Sequence, residues 1–98
     1  MKITQNREAE KLTVAIEGKL DTTTAPELEK TLGEILSGVT ELVFDMTNLE
    51  YISSAGLRVI LKAQKVMFTQ GKMKLIGVNE TVMEVFEITG FSSILKIE

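Results

Sequence analysis

The amino-acid sequence predicts a small α/β domain, a mixed β-sheet with helices in the order β-β-α-β-α-β-α-β. Three observations carry that expectation. Leu12, Val14 and Ile16 alternate with Thr13, Ala15 and Glu17, the period-two pattern of a strand with one buried face. Three later segments place apolar residues at helical spacing, each with its own start and stop signals. Short apolar runs separate those segments, so strands alternate with helices after the first pair. That arrangement builds parallel strands joined by right-handed crossovers.

Taken in order, Ile3 and residues 12–17 read as the two strands of a hairpin, with Arg7-Glu8-Ala9-Glu10-Lys11 as a charged turn. Gly18-Lys19-Leu20-Asp21 is expected to leave the sheet, and Thr22-Thr23-Thr24 to lead into the first helix. Thr24 with Glu27 three residues on forms a capping box, and Pro26 falls in the first turn, where no N–H is needed. Leu28, Leu32, Ile35 and Leu36 make the stripe that packs on the sheet, and Ser37-Gly38 ends the helix. Residues 41–45 form a nearly continuous apolar run, as a central, well-buried strand does. Residues 45–50 read as a polar loop with Asx-turn chemistry.

The longest helical pattern spans residues 57–70. It aligns Leu57, Ile60, Leu61, Gln64 and Phe68 as the expected core stripe, with Arg58, Lys62, Lys65 and Thr69 along another side. Gly71 is expected to close it in a left-handed cap. A strand over residues 74–78 follows. Asn79 then caps a third helix running through Val82, Val85, Phe86 and Thr89 to Gly90, and residues 93–97 form a short edge strand or extended tail. No repeat, low-complexity tract or linker divides the chain, so residues 1–98 are expected to form one domain.

Composition narrows the chemistry. A chain of 98 residues buries roughly 60–70% of its unfolded surface, enough for one two-layer core but not for a deep enclosed active site. With 44% hydrophobic residues, 26% charged residues and a net charge of −3, the surface does not attract nucleic acid. Cysteine and histidine are both absent, which removes disulfides, thiol chemistry, the usual zinc sites and the Ser-His and Cys-His nucleophile pairs. No catalytic residue, cofactor or metal site is therefore expected. No apolar run approaches the roughly 18 residues of a membrane span, and the first six residues do not make a signal peptide. A cytoplasmic protein without membrane insertion is expected.

The informative stretch is Tyr51-Ile52-Ser53-Ser54-Ala55-Gly56-Leu57-Arg58, where small residues sit between an apolar strand and the longest helix. A serine there lies beside unpaired N–H groups whose partial positive charge favours an anion such as phosphate. Serine is equally a preferred N-cap, so the spacing alone leaves a phosphorylation site and a structural cap both open. Arg58, one turn after Ser54, is open between a partner contact, a phosphate ligand within the chain and a solvated helix face.

With these residues in view, the chain resembles the STAS domain of bacterial anti-sigma factor antagonists. The similarity runs nearly end to end. It rests on Gly18-Lys19-Leu20-Asp21 before the first helix, Val43-Phe44-Asp45 ending the central strand, Ser53-Ser54-Ala55-Gly56-Leu57 at the next helix start, and Val85-Phe86-Glu87-Ile88-Thr89-Gly90 near the C-terminus. The resemblance implies a STAS-like fold and a partner, an anti-sigma factor with serine kinase activity, which phosphorylates the serine two residues before the glycine. On this chain that serine is Ser54, with Ser53 as second choice. The family usually has an aspartate immediately before the acceptor, where this chain has Ser53. Partner binding then falls to Asp21, Thr22, Ser53, Ser54, Gly56, Leu57 and Arg58, and a serine phosphatase completes the cycle. Asp21 by itself reads equally as a turn residue satisfying local N–H groups.

Two other functions are weighed beside this one. The same fold serves as an interaction subunit of other signalling or transport assemblies without a phosphoswitch. A phosphorelay receiver would take phosphate on Asp45, at the end of the central strand. It would also need an acidic pair after the first strand and a lysine after a later one, and neither Asn6-Arg7-Glu8 nor Gly77-Val78-Asn79 supplies them.

Overall fold

In the computed structural model, which describes residues 1–98, β1 (Lys2–Glu8) and β2 (Lys11–Leu20) pair antiparallel from Lys2↔Glu17 to Glu8↔Lys11. The hairpin is tighter than expected. Only Ala9 and Glu10 lie outside the ladder, and Ala9 takes a φ of 56°, the positive value that two-residue hairpin turns demand. Arg7, Glu8 and Lys11 are therefore strand residues rather than turn residues.

β2 does not leave the sheet at Gly18. It continues through Leu20 by pairing in parallel with a strand that was not expected, β4 (Leu49–Ile52). The reason it was missed is physical: its four residues are buried only at Leu49 and Ile52, with exposed Glu50 and Tyr51 between them, so no period-two pattern shows. β3 (Glu41–Asp45) is central as expected, parallel to β2 through Leu12↔Leu42 and Val14↔Phe44 and to β5 (Lys72–Ile76) through Leu42↔Met73 and Phe44↔Leu75. The sheet order is β1-β2-β3-β5, with β4 on the extension of β2. The strand expected over residues 93–97 reduces to one bridge, Leu75↔Ile97, after a short 3₁₀ turn over Phe91–Ser93.

The helices α1 (Ala25–Ile35), α2 (Ser54–Gln70) and α3 (Glu80–Ile88) contribute to one cluster of 24 buried hydrophobic residues. Leu28, Leu32 and Leu36 come from α1 and its end, Ile60, Ala63 and Met67 from α2, and Val82 and Phe86 from α3; they cover Leu12, Val14, Ile16, Leu42, Phe44, Met73 and Leu75. The opposite face carries the alternate residues, half-buried Thr13, Ala15, Glu41, Asp45, Lys74 and Ile76. The chain is thus a mixed five-stranded sheet with its three helices packed into one core.

Two details of α2 correct the sequence reading. Its buried residues are Gly56, Leu57, Val59, Ile60, Ala63 and Met67, whereas Phe68 is 82% exposed and Leu61 only half-buried. Two adjacent faces of this helix are similarly apolar, and packing chose the one with the smaller residues. Gly71 ends the helix in an extended conformation, φ 168°, not in a left-handed cap. Glycine is required there for space, because a Cβ would lie 1.9 Å from the Thr40 carbonyl oxygen.

Candidate functional site

The site forms where two parallel strands end together. Leu20, the last residue of β2, pairs with Ile52, the last of β4, and the Ser53 N–H donates to the Leu20 carbonyl at 2.9 Å. Neighbouring strands run about 5 Å apart, so the chain leaving at Asp21 and the chain entering α2 at Ser53 emerge side by side. This pairing brings Asp21 and Thr22 next to the start of α2.

Asp21 organises the first of these segments. Its Oδ1 accepts from the Thr23 N–H at 3.0 Å, the Thr23 hydroxyl at 2.7 Å and the Thr24 N–H at 3.1 Å. The Thr23 hydroxyl holds the carboxyl below the usual carboxylate range; burial opposes it, and the Thr24 and Thr23 N–H groups each add a smaller lowering effect. The expected capping box at Thr24 does not form. Its hydroxyl accepts from the Asp21 N–H and donates to the Lys19 carbonyl, each at 2.8 Å, so it ties the loop to the sheet rather than to the first turn of α1.

The second segment divides its two serines by role. Ser53 is the N-cap of α2, in extended conformation, and its Oγ accepts from the Gly56 N–H at 3.4 Å. Ser54 is the first helical residue; it is exposed, and its hydroxyl makes no hydrogen bond within the chain. It stands at the electropositive start of a 17-residue helix that has no acidic side chain in its first turn. Gly56 lets the helix sit down on the strand ends, since a Cβ there would meet Leu20 Cγ at 2.7 Å and the Leu20 carbonyl oxygen at 2.9 Å.

Of the residues expected to contact a partner, Gly56 and Leu57 are buried within the chain, Leu57 being 3% exposed. They face inward and fix the position of the helix start. Thr22, Ser54 and Arg58 are exposed, Asp21 and Ser53 half-buried.

Thr22 and Arg58 also meet in a shallow cleft of about 420 Å³ between α1 and α2, which the sequence did not disclose. Pro26 and Glu29 line one wall, Lys62 and Lys65 the other. Lys62 pairs with Glu29, whereas Arg58 and Lys65 have no ion-pair partner in the chain. The i, i+4, i+7 spacing of the three cations was visible in the sequence. That α1 lies across from them was not.

Asp45 is not part of this constellation. Its Oδ1 accepts from the Thr47 N–H and hydroxyl, at 3.0 and 2.6 Å, in the Asx turn expected there. No group of three or more His, Cys, Asp or Glu side chains is placed to hold a metal ion. The antiparallel β1–β2 pair and the order β1-β2-β3-β5 also differ from the parallel 2-1-3-4-5 sheet of a receiver. The phosphorelay reading is thereby excluded.

This mixed sheet with three packed helices, and with the Asp21–Thr24 loop beside the serine-bearing start of α2, is matched by known proteins. The STAS domain family model matches residues 1–98. The "Putative anti-sigma factor antagonist BtrV" of Bordetella bronchiseptica is 37% identical, over 99% of this chain and 85% of the relative. The anti-sigma-B factor antagonist of Listeria monocytogenes is 30% identical, over 96% of this chain and 84% of the relative. Among solved structures, the Bacillus cell fate determinant SpoIIAA in its phosphorylated form superposes with a TM-score of 0.76 at 16% identity, over 99% of this chain and 91% of that one. The chain belongs to the STAS domain family and, within it, to the anti-sigma factor antagonists. No helix is long and apolar enough to cross a membrane.

Proposed function

We propose that this chain is a binding switch that holds an anti-sigma factor while Ser54 is unmodified and releases it when Ser54 is phosphorylated. The partner is an anti-sigma factor with serine kinase activity, a serine phosphatase resets the switch, and transcription is regulated without contact to nucleic acid. The protein itself is not an enzyme and acts in the cytoplasm. The observation that carries this reading is the division of labour at the helix start. Ser53 takes the capping role, which leaves the Ser54 hydroxyl exposed and unbonded beside the Asp21–Thr22 loop.

The replacement of the family's usual aspartate by Ser53 is the departure from the family pattern that favours the alternative, an interaction subunit without a phosphoswitch, but it leaves the helix start intact. Aspartate and serine are comparable N-caps, so the helix start is preserved while one negative charge beside the acceptor is removed. Phosphorylation adds about −1.5 to −2 charges and three acceptor oxygens. A partner carboxylate about 6 Å away is repelled by roughly 0.7 to 3 kcal/mol per unit charge, as the effective dielectric falls from that of water to about 20. Binding weakens about tenfold for each 1.4 kcal/mol. The helix start accepts the phosphate without refolding, because its free N–H groups favour negative charge.

Intact-mass and peptide-mapping measurements test this directly, after incubation with ATP and a serine-kinase anti-sigma factor from the same genome. One phosphate on Ser54, with loss of the complex, is the expected result. A stable complex with no phosphate would replace the switch with an unregulated interaction subunit.

A further inference from the structure

We propose that the free edge of β1 is a self-complementary interface through which two copies of this chain join into one continuous antiparallel sheet. β1 is an edge strand with six of its seven residues exposed, so one row of its backbone N–H and C=O groups has no partner in the chain. Its side chains specify how such a row would be filled. Pairing two β1 strands antiparallel about a twofold axis at Gln5 sets Lys2 opposite Glu8 of the second copy, Thr4 opposite Asn6 and Ile3 opposite Arg7. The oppositely charged pair occurs twice, once on each side of the axis.

The rest of the sheet makes this register more than a coincidence of two charges. Within one chain the ladder aligns Glu8, Lys11, Glu41 and Lys72 in a single row across four strands. Glu41 is bonded to Lys11 at 3.7 Å and to Lys72 at 3.6 Å. This alternating row stops at the open edge with Glu8. At the other end of β1, Lys2 stands across from Glu17 and also ends at the open edge. The twofold axis at Gln5 joins the two rows. The resulting sequence is Glu17, Lys2, then Glu8, Lys11, Glu41 and Lys72 of the second copy, alternating in sign at every step.

Competing arrangements lose this. A two-residue slip sets Lys2 opposite Asn6 or leaves it unpaired, and in-register parallel pairing puts like charges together, which is destabilising. Charged residues on an edge strand also block unspecific edge-to-edge contact, and here the same charges leave one register favourable. The acceptor loop stays free, because β1 pairs only as far as Glu17 while Asp21 and Ser54 lie beyond the ends of β2 and β4. The dimer therefore presents two acceptor sites. This inference does not depend on the phosphoswitch.

Sedimentation velocity of the whole protein, from about 10 μM to 1 mM, spans the weak affinities of interfaces smaller than the standard size. A monomer–dimer equilibrium is expected, with hydrogen exchange of alternate β1 amides slowing as concentration rises. Lys2→Glu should weaken dimerisation by about tenfold or more, and Lys2→Glu with Glu8→Lys should recover most of the loss. Thermal unfolding within a few degrees of the parent, as expected for changes in exposed charge pairs, verifies the fold of both variants. A protein monomeric throughout the range overturns the proposal. So does a dimer indifferent to Lys2→Glu, or a double variant as weak as the single one.

Discussion

Gly56→Ala sets two opposing effects against each other at the point where α2 meets the ends of the strands. Alanine is the better helix residue by about 1 kcal/mol in a helix interior. Against that, the added Cβ would stand 2.7 Å from Leu20 Cγ, 2.9 Å from the Leu20 carbonyl oxygen and 3.0 Å from Ile52 Cγ1. Leu20 and Ile52 are each no more than 1% exposed, and the Leu20 carbonyl also receives the Ser53 N–H, so none of these atoms can recede freely. Overpacking of this kind costs about 1–3 kcal/mol and wins over the propensity gain. The expected net loss is up to about 2 kcal/mol, a fall in the unfolding midpoint of up to roughly 15 °C for a domain of this size. Gly33→Ala is the control. Gly33 lies in α1, and a Cβ added there would have nothing within 4 Å, so the propensity gain acts alone and the midpoint should rise by a few degrees. Calorimetry on the two variants reads both signs. A Gly56→Ala protein as stable as its parent would refute the tight seating of α2 on Leu20.

The two serines should separate in the same assay. Ser53→Ala removes the N-cap and should cost about 0.5–1 kcal/mol, the low end for caps because its bond is long, whereas Ser54→Ala should leave stability within about 0.5 kcal/mol. The reverse ranking would make Ser54 the cap. Ser54→Asp should keep the fold and lose the anti-sigma factor in a pull-down; retained binding would defeat the switch. For Asp21, whose carboxyl is held below its unfolded value, the unfolded chain takes up the proton first. Its stabilising contribution is therefore present above about pH 4 and is lost as the pH falls through the folded value. Asp21→Asn, which keeps a carbonyl acceptor in the turn, should flatten that acid limb of the midpoint-against-pH curve, and an unchanged limb would assign it to other carboxyls. Asn79→Ala should be costlier than an ordinary cap loss, about 2 kcal/mol by denaturant unfolding. It removes both the bond from the Val82 N–H at 2.8 Å and the one from Asn79 Nδ2 to the Leu49 carbonyl at 2.7 Å.

Much of the fold was legible because local chemistry and tertiary position agree. The α1 stripe, the central apolar run of β3 and the Asn79 cap each carry a signal that packing then uses unchanged. The failures share a different origin. β4 pairs with only three residues of β2 and is buried at its two ends, so nothing in Leu49-Glu50-Tyr51-Ile52 alternates. Thr24 has the composition of a capping box, but its hydroxyl is drawn to Lys19 and Asp21 by the bend of the loop. Phe68 is the largest apolar residue on α2 and lies outside the core, because the side of that helix that packs runs through Val59, Ile60, Ala63 and Met67.

The site shows the same boundary. By itself, the sequence determined which residue types stand at the helix start, that a serine and a glycine two residues later occur there, and that His and Cys chemistry is absent. Those are properties of composition and short spacing, and they survive any folding. Only the tertiary structure decided which serine caps the helix, that Gly56 and Leu57 face inward, that Asp21 lies beside Ser53 and that Arg58 shares a cleft with Thr22. Each of these depends on β2 and β4 ending in register. That pairing joins residues some thirty positions apart through backbone hydrogen bonds, which every residue except proline can make and which leave no mark in the sequence.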